Sequence, residues 1–189
     1  KNSEIFYEEK FLRTGDLGRL DEDEYLWITG RAKDLIIRSG HNIDPALIEE
    51  TLLSHEAVAF AGAIGQPDPK TGEMPCVYVE LVVGAMATAE ELKSYCEDYV
   101  PERAAHPKYV ELLDELPKTA VGKVFKPDLR KRAITRVFNE TLKEAGLESR
   151  VESVIDDKER GMVVKLSAGD SNEVVQGVLG QFVQPWERK

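Results

Sequence analysis

Little in this chain favours a metal, redox or membrane reading. Only two residues are cysteine, Cys76 and Cys96, far apart and without CxxC spacing. The three histidines, His41, His55 and His106, show no ligand spacing either. This pattern predicts two reduced thiols in an intracellular, cytoplasmic protein, and no metal site. No apolar run approaches the ~20 residues that cross a bilayer, and the first residues carry no signal-peptide pattern. Positive charge is scarce as well. Lys and Arg number 25 against 35 Asp and Glu, a net charge of −10. That balance disfavours nonspecific binding to nucleic acid or to an anionic membrane. Neither an internal repeat nor a low-complexity segment is found. The chain opens Lys-Asn-Ser without a methionine, which predicts a piece of a longer protein.

What remains is a folding-competent composition. Of 189 residues, 42% are hydrophobic and 32% charged, as in globular domains. The length suits one good-sized domain or a domain with an appendage. Residues 11–30 predict a hairpin around the acidic turn Asp21-Glu22-Asp23-Glu24. Asp34 to Arg38 predicts a short strand that ends at Ser39-Gly40. Asp44 is a good N-cap before Pro45, and Ile43 and Ile48 are spaced as a hydrophobic staple. The apolar run 57–64 suits a buried strand, residues 65–72 carry turn chemistry, and Cys76 to Val83 predicts the next strand. Thr88 and Glu91 form a capping box for a helix with Leu92, Tyr95, Cys96 and Tyr99 on one face. Tyr109 to Leu116 predicts a strand. Pro127 opens a helix that keeps its period to Ala145, with Gly146 past its end. A hairpin over about 150–167 and a helix capped by Asp170 and Glu173 follow. Together these predict an α+β fold: an N-terminal hairpin, a small mixed sheet with flanking helices, and an extra α-β-β-α extension.

The most suggestive stretch is Pro117-Lys118-Thr119-Ala120-Val121-Gly122-Lys123. A Gly-Lys pair on a short turn can project one ammonium into a cleft, where it meets developing negative charge. It is not a phosphate-binding loop. That motif needs Gly where Pro117 stands and Ser or Thr where Val124 stands. On its own the signal is weak, because a lysine on an exposed turn is most often merely solvated.

Three other segments give it a context. They are Arg13-Thr14-Gly15-Asp16-Leu17-Gly18, then Gly30-Arg31-Ala32-Lys33-Asp34-Leu35-Ile36-Ile37, then Ser39-Gly40-His41-Asn42-Ile43 with Pro45, Ile48, Glu49 and Glu50. In this order and spacing, with the 117–123 stretch last, they resemble the C-terminal part of the adenylate-forming, AMP-binding enzyme superfamily. That group includes acyl-CoA synthetases, luciferases and the adenylation domains of peptide synthetases. The resemblance covers about residues 11–132. It implies three parts: residues 1–32 closing a large N-terminal domain, residues 33–132 forming a C-terminal lid, and residues 133–189 a family-variable extension.

The resemblance also implies chemistry. Such enzymes join a carboxylate to the α-phosphate of ATP, then pass the acyl group from AMP to a thiol, usually CoA. The lid rotates between the two steps. Asp16 matches the aspartate that binds the ribose hydroxyls, an acceptor facing two donors. Arg31 matches a nucleotide-binding arginine. Lys33 matches the hinge. Ser39, Gly40, His41 and Asn42 match the loop lining the pantetheine tunnel. Lys123 matches the lysine that bridges carboxylate and α-phosphate. ATP, AMP and CoA are the implied ligands, with Mg2+ held mainly by ATP and the large domain. The implied partners are that N-terminal domain, a small carboxylic acid, and a second copy through the extension. The segment Val124 to Arg130 resembles bacterial acyl-CoA synthetases, which points to fatty acid metabolism. Two other readings stay open: a noncatalytic binding module that kept the lid fold, and an adenylation domain serving a carrier protein. Glu24 stands where the hairpin turn usually has Gly, a departure expected to be cosmetic. By itself a lid is expected to be inactive.

Overall fold

The computed structural model describes residues 5–8 and 10–188. The chain divides into two units, Lys1–Leu35 and Ile36–Lys189.

The first unit holds two antiparallel ribbons: β1 (Phe6–Tyr7) with β2 (Phe11–Leu12), and β3 (Asp16–Leu20) with β4 (Leu26–Arg31). The expected 11–30 hairpin is the second of these. Its turn is organised by Asp21, whose Oδ1 accepts from the N–H groups of Asp23 and Tyr25 while Oδ2 accepts from Trp27 Nε1 at 2.6 Å. The Trp27 bond, reinforced by the backbone donors, holds the Asp21 carboxyl below its ordinary value. Glu24 adopts φ +65, so its difference from glycine is not cosmetic. A side chain with a Cβ sits in the left-handed region, which costs about 1–2 kcal/mol. Leu20, Tyr25, Leu26, Trp27 and Ile28 are each more than half exposed, because a two-stranded ribbon builds no core of its own.

The second unit is built on a five-stranded sheet. Its strands are β5 (Ile36–Arg38), β6 (His41–Ile43), β7 (Val58–Asp68), β8 (Gly72–Leu81) and β9 (Tyr109–Leu112). β8 is central, with β7 antiparallel on one side and, on the other, β5 at Gly72 and β9 parallel from Cys76. The β7–β8 hairpin is longer than predicted. Residues 65–68 and 72–75 are paired strand, and the turn shrinks to residues 69–71. The prolines account for the difference. Pro67 lies on the edge strand β7, and Pro75 lies where β8 changes outer partner from β5 to β9, so neither breaks the ladder.

Both faces of this sheet are covered, which explains the unbroken apolar runs. Alternation sends Ala61, Ala63, Val77 and Val79 to one side, against α1 (Pro45–Leu53) and α2 (Ala89–Tyr99). Ile64, Cys76 and Tyr78 go to the other side with Leu116, Leu129 and Ala133. Asp44 caps α1 by accepting from Ala46 N–H, and the Thr88–Glu91 capping box opens α2, both as predicted. Gly62 allows the second face to close. A Cβ there would stand 2.6 Å from Leu129 Cδ1 and 2.9 Å from Val124 Cγ1.

The helix α3 (Lys126–Glu144) serves two cores. Leu129 and Ala133 pack on the sheet, while Ile134, Val137, Phe138 and Leu142 belong to a separate cluster with Val154, Val164, Leu166, Val175, Leu179 and Phe182. The helix runs unbroken through residues 132 and 133, and the extension lies in the same unit as the sheet. Gly146, at φ +72, ends α3: its N–H reaches Lys143 O, and Leu147 N–H reaches Leu142 O. The extension adds β10 (Val151–Asp157), β11 (Gly161–Leu166), α4 (Asn172–Leu179) and β12 (Trp186–Arg188), a strand not read from sequence. β12 runs parallel to β11. The α4 cap is Ser171, not Asp170. Asp170 instead accepts from the Ser149 N–H and hydroxyl, which keeps its carboxyl below the usual range.

Candidate functional site

In the first unit, Asp16 and Arg31 are cross-strand partners on β3 and β4. Gly15, at φ +79, turns the chain into β3, and Thr14 Oγ1 accepts the Asp16 N–H. Arg31 Nε donates to Asp16 Oδ1 at 3.0 Å. The side chains stay exposed, 67% for Arg31 and 31% for Asp16. The contact engages one carboxylate oxygen and one of five guanidinium donors. An oriented carboxylate next to a fork of donors suits a ligand that carries both hydroxyls and oxyanions. Lys33 lies one turn later, exposed, just before the chain passes into the second unit after Leu35.

In the second unit, Ser39 and Gly40 form the two-residue turn between β5 and β6. Arg38 pairs with His41, and both turn residues have positive φ, +52 and +81. This is the geometry of a type I′ hairpin. The turn is held from three sides. Ser39 N–H donates to Thr71 O at 2.7 Å, Arg38 Nη1 donates to Ala104 O at 2.8 Å, and His41 Nε2 is bonded to Glu102 Oε1. Ser39, Gly40, His41 and Asn42 are all exposed.

Lys123 sits on a second hairpin. Lys118 and Val124 form an antiparallel bridge, Thr119 N–H donates to Lys123 O at 2.7 Å, and Gly122 N–H returns to Thr119 O at 2.8 Å. Gly122 takes φ +80, which closes a three-residue loop that other residues would strain. Residues 120–123 are exposed, and among the described residues the Lys123 ammonium has no ion-pair partner.

The base of this hairpin is anchored by charges in the fold. Glu80 Oε2 accepts from Leu116 N–H at 2.8 Å and from Lys118 Nζ at 2.7 Å, and Lys118 lies 4.3 Å from the Phe60 ring centre. Partial burial would push Glu80 up, but those two donors outweigh it and hold the carboxyl below its ordinary value. Glu49 accepts from Ala63 N–H and pairs with Lys126 at 2.8 Å, at the first residue of α3. Glu80 is visible in the sequence as the one Glu in the otherwise apolar run Cys76 to Val83, but nothing there assigns it a partner. Glu102 gave no such signal, because its partner is 61 residues away. Among the described residues, no group of three or more His, Cys, Asp or Glu side chains converges as a metal site would.

Residues 47–123 match the AMP-binding enzyme C-terminal domain. A marinolic acid–CoA ligase of a Pseudoalteromonas species is 43% identical over 99% of this chain and 29% of its own length. A 2-succinylbenzoate–CoA ligase of Bacillus cereus is 45% identical over 64% of this chain and 24% of its own. Among solved structures, O-succinylbenzoate CoA synthetase (MenE) from Bacillus subtilis in complex with AMP aligns with TM-score 0.60 and 39% identity, over 68% of this chain and 26% of that one. The amide bond synthetase McbA from Marinactinospora thermotolerans aligns with TM-score 0.60 at 34% identity, over 68% and 26%. The chain belongs to the adenylate-forming, AMP-binding enzymes, as their C-terminal domain. It spans about a quarter of the length of the relatives it matches.

Proposed function

We propose that the protein to which this chain belongs is an AMP-forming acyl-CoA synthetase, a cytoplasmic acid–thiol ligase, and that this chain is its rotating lid. The observation that carries the reading is Lys123: an unpaired ammonium at the tip of a short hairpin whose base is fixed by two ion pairs. Its charge is available to a carboxylate and an α-phosphate brought together at the nucleotide. Two further observations support it. The chain divides into units between Leu35 and Ile36, next to Lys33, where the pivot is assigned. The 16–31 hairpin exposes a run of large apolar side chains that suits the edge of a larger domain preceding the lid.

In this mechanism Asp16 takes the ribose hydroxyls, with Arg31 orienting its carboxylate and offering its remaining donors to the nucleotide. Lys123 stabilises the charge that develops as the acyl-adenylate forms. Rotation about Lys33 then withdraws Lys123 and brings Ser39, Gly40, His41 and Asn42 to the incoming thiol. Structures of MenE include complexes with ATP and magnesium ion and with the acyl-adenylate intermediate. We assign this protein the same ligands, with Mg2+ accompanying ATP. The relatives named above are ligases of acids as different as marinolic acid and 2-succinylbenzoate, so the lid fold does not itself select the acid and a fatty acid is not singled out.

The test is acid-dependent pyrophosphate release by the full-length protein, followed by thioester formation with CoA. Release with thioester formation is the expected result. Release with transfer only to a carrier protein or an amine would replace CoA as acceptor, and no release with any acid would leave a noncatalytic module.

A further inference from the structure

The turn assigned to the thiol channel is fixed by a residue outside the four family segments. Glu102 precedes the short 3-10 turn Arg103–Ala105, far from β5 and β6 in sequence, and bonds His41 across the gap. A carboxylate only accepts, so Nε2 of His41 carries the hydrogen in this contact. That leaves Nδ1 as the acceptor in neutral imidazole, and among the described residues Nδ1 has no partner. One segment therefore grips the turn twice: Glu102 holds the side chain of His41, and the Ala104 carbonyl holds Arg38, the residue opposite it. Ala105 is fully buried among the residues beneath α1 and α2, so the grip is anchored in the core.

We propose that Glu102 is a positioning residue for the thiol-transfer step. Its carboxylate fixes the Nε2–H tautomer and the orientation of His41, so that Nδ1 faces outward as a hydrogen-bond acceptor for the amide or thiol of the incoming CoA. This rests on the reading of Ser39, Gly40, His41 and Asn42 as channel lining. Glu102 has no part in adenylation, because the site for that step is assigned to Asp16, Arg31 and Lys123.

The experiment uses the full-length enzyme and measures the half-reactions separately: acid-dependent pyrophosphate exchange for the first, and thioester formation from supplied acyl-adenylate for the second. Glu102→Ala is expected to raise KM for CoA about fivefold, the scale of one hydrogen bond, with pyrophosphate exchange and the thermal midpoint unchanged. Glu102→Gln keeps a side-chain acceptor and is expected to recover most of that loss. His41→Ala should match Glu102→Ala, and the double variant should be no worse than either single one. An equal loss in both half-reactions would make Glu102 merely structural and overturn the proposal. A raised KM in His41→Ala alone would overturn it while sparing the channel reading. No change in KM for either variant would remove both.

Discussion

Two hairpins of the second unit present exposed tips, and they are held in contrasting ways. The Ser39–Gly40 turn is short, continues a regular strand pair, and is tethered near its tip by exposed side chains and backbone carbonyls. Among the described residues the Lys123 hairpin has one bridge for a ladder and no tether at its tip from outside the hairpin. It is stiffened from below, by the Glu80–Lys118 and Glu49–Lys126 pairs, whose side chains are all at most 20% exposed. The difference follows from what each tip presents. Under the proposed roles, a loop that lines a channel would work by its shape and gain from a fixed outline, and a lysine that enters and leaves a nucleotide site would need a bare tip with the rigidity at the base.

The comparison breaks most sharply at Lys123. One charge pair at ~4 Å and an effective dielectric of ~20 is worth about 4 kcal/mol, on the order of 10³ in rate if realised only in the transition state. In the full-length enzyme, Lys123→Ala should lose about that factor in acyl-adenylate formation and keep thioester formation from supplied acyl-adenylate. Equal losses in the two half-reactions would abolish the assigned division between the hairpins.

Glu80 tests whether the rigidity sits at the base. Glu80→Ala leaves the Leu116 N–H and the Lys118 ammonium without their acceptor, a cost of about 1–3 kcal/mol for a buried donor. Hydrogen exchange should then accelerate across residues 116–124 and stay unchanged at the Ser39–Gly40 turn. The same contrast should appear with pH in the unaltered protein. The folded-state pKa of Glu80 is depressed, so its stabilisation is complete above the ordinary glutamate value of about 4.3. It is lost as pH falls through the lower folded value. Acid should loosen the base of the Lys123 hairpin over that window.

The smallest effect concerns the two glycines. Gly40 and Gly122 have nearly the same φ, +81 and +80, and a Cβ on either meets nothing within 4 Å. Alanine at either position should therefore cost only the left-handed strain, about 1 kcal/mol, and shift the melting temperature by about 2–4 °C. A much larger loss at one of them would reveal a contact that the other lacks.

Much of the fold was legible because its signals are local. The Asp44 and Thr88 caps, the α3 terminus at Gly146 and the 16–31 hairpin each depend on residues within a few positions of one another. The failures were of another kind. Residues 65–68 read as turn because two prolines look like breakers until the open edge of β7 is known. Asp170 read as a cap because its true partner, Ser149, lies 21 residues away.

The sequence by itself determined most of the element order, though not the β1–β2 ribbon or β12, because backbone capping, turn chemistry and periodicity are short-range properties, and its four spaced segments carry the resemblance to the family. Tertiary structure alone decided that Glu80 and Glu49 brace the Lys123 hairpin, that Glu102 grips His41, and that α3 is shared between two cores. Those pairings join residues distant along the chain, and a carboxylate becomes an anchor only when folding removes its water and brings a specific donor within bonding distance.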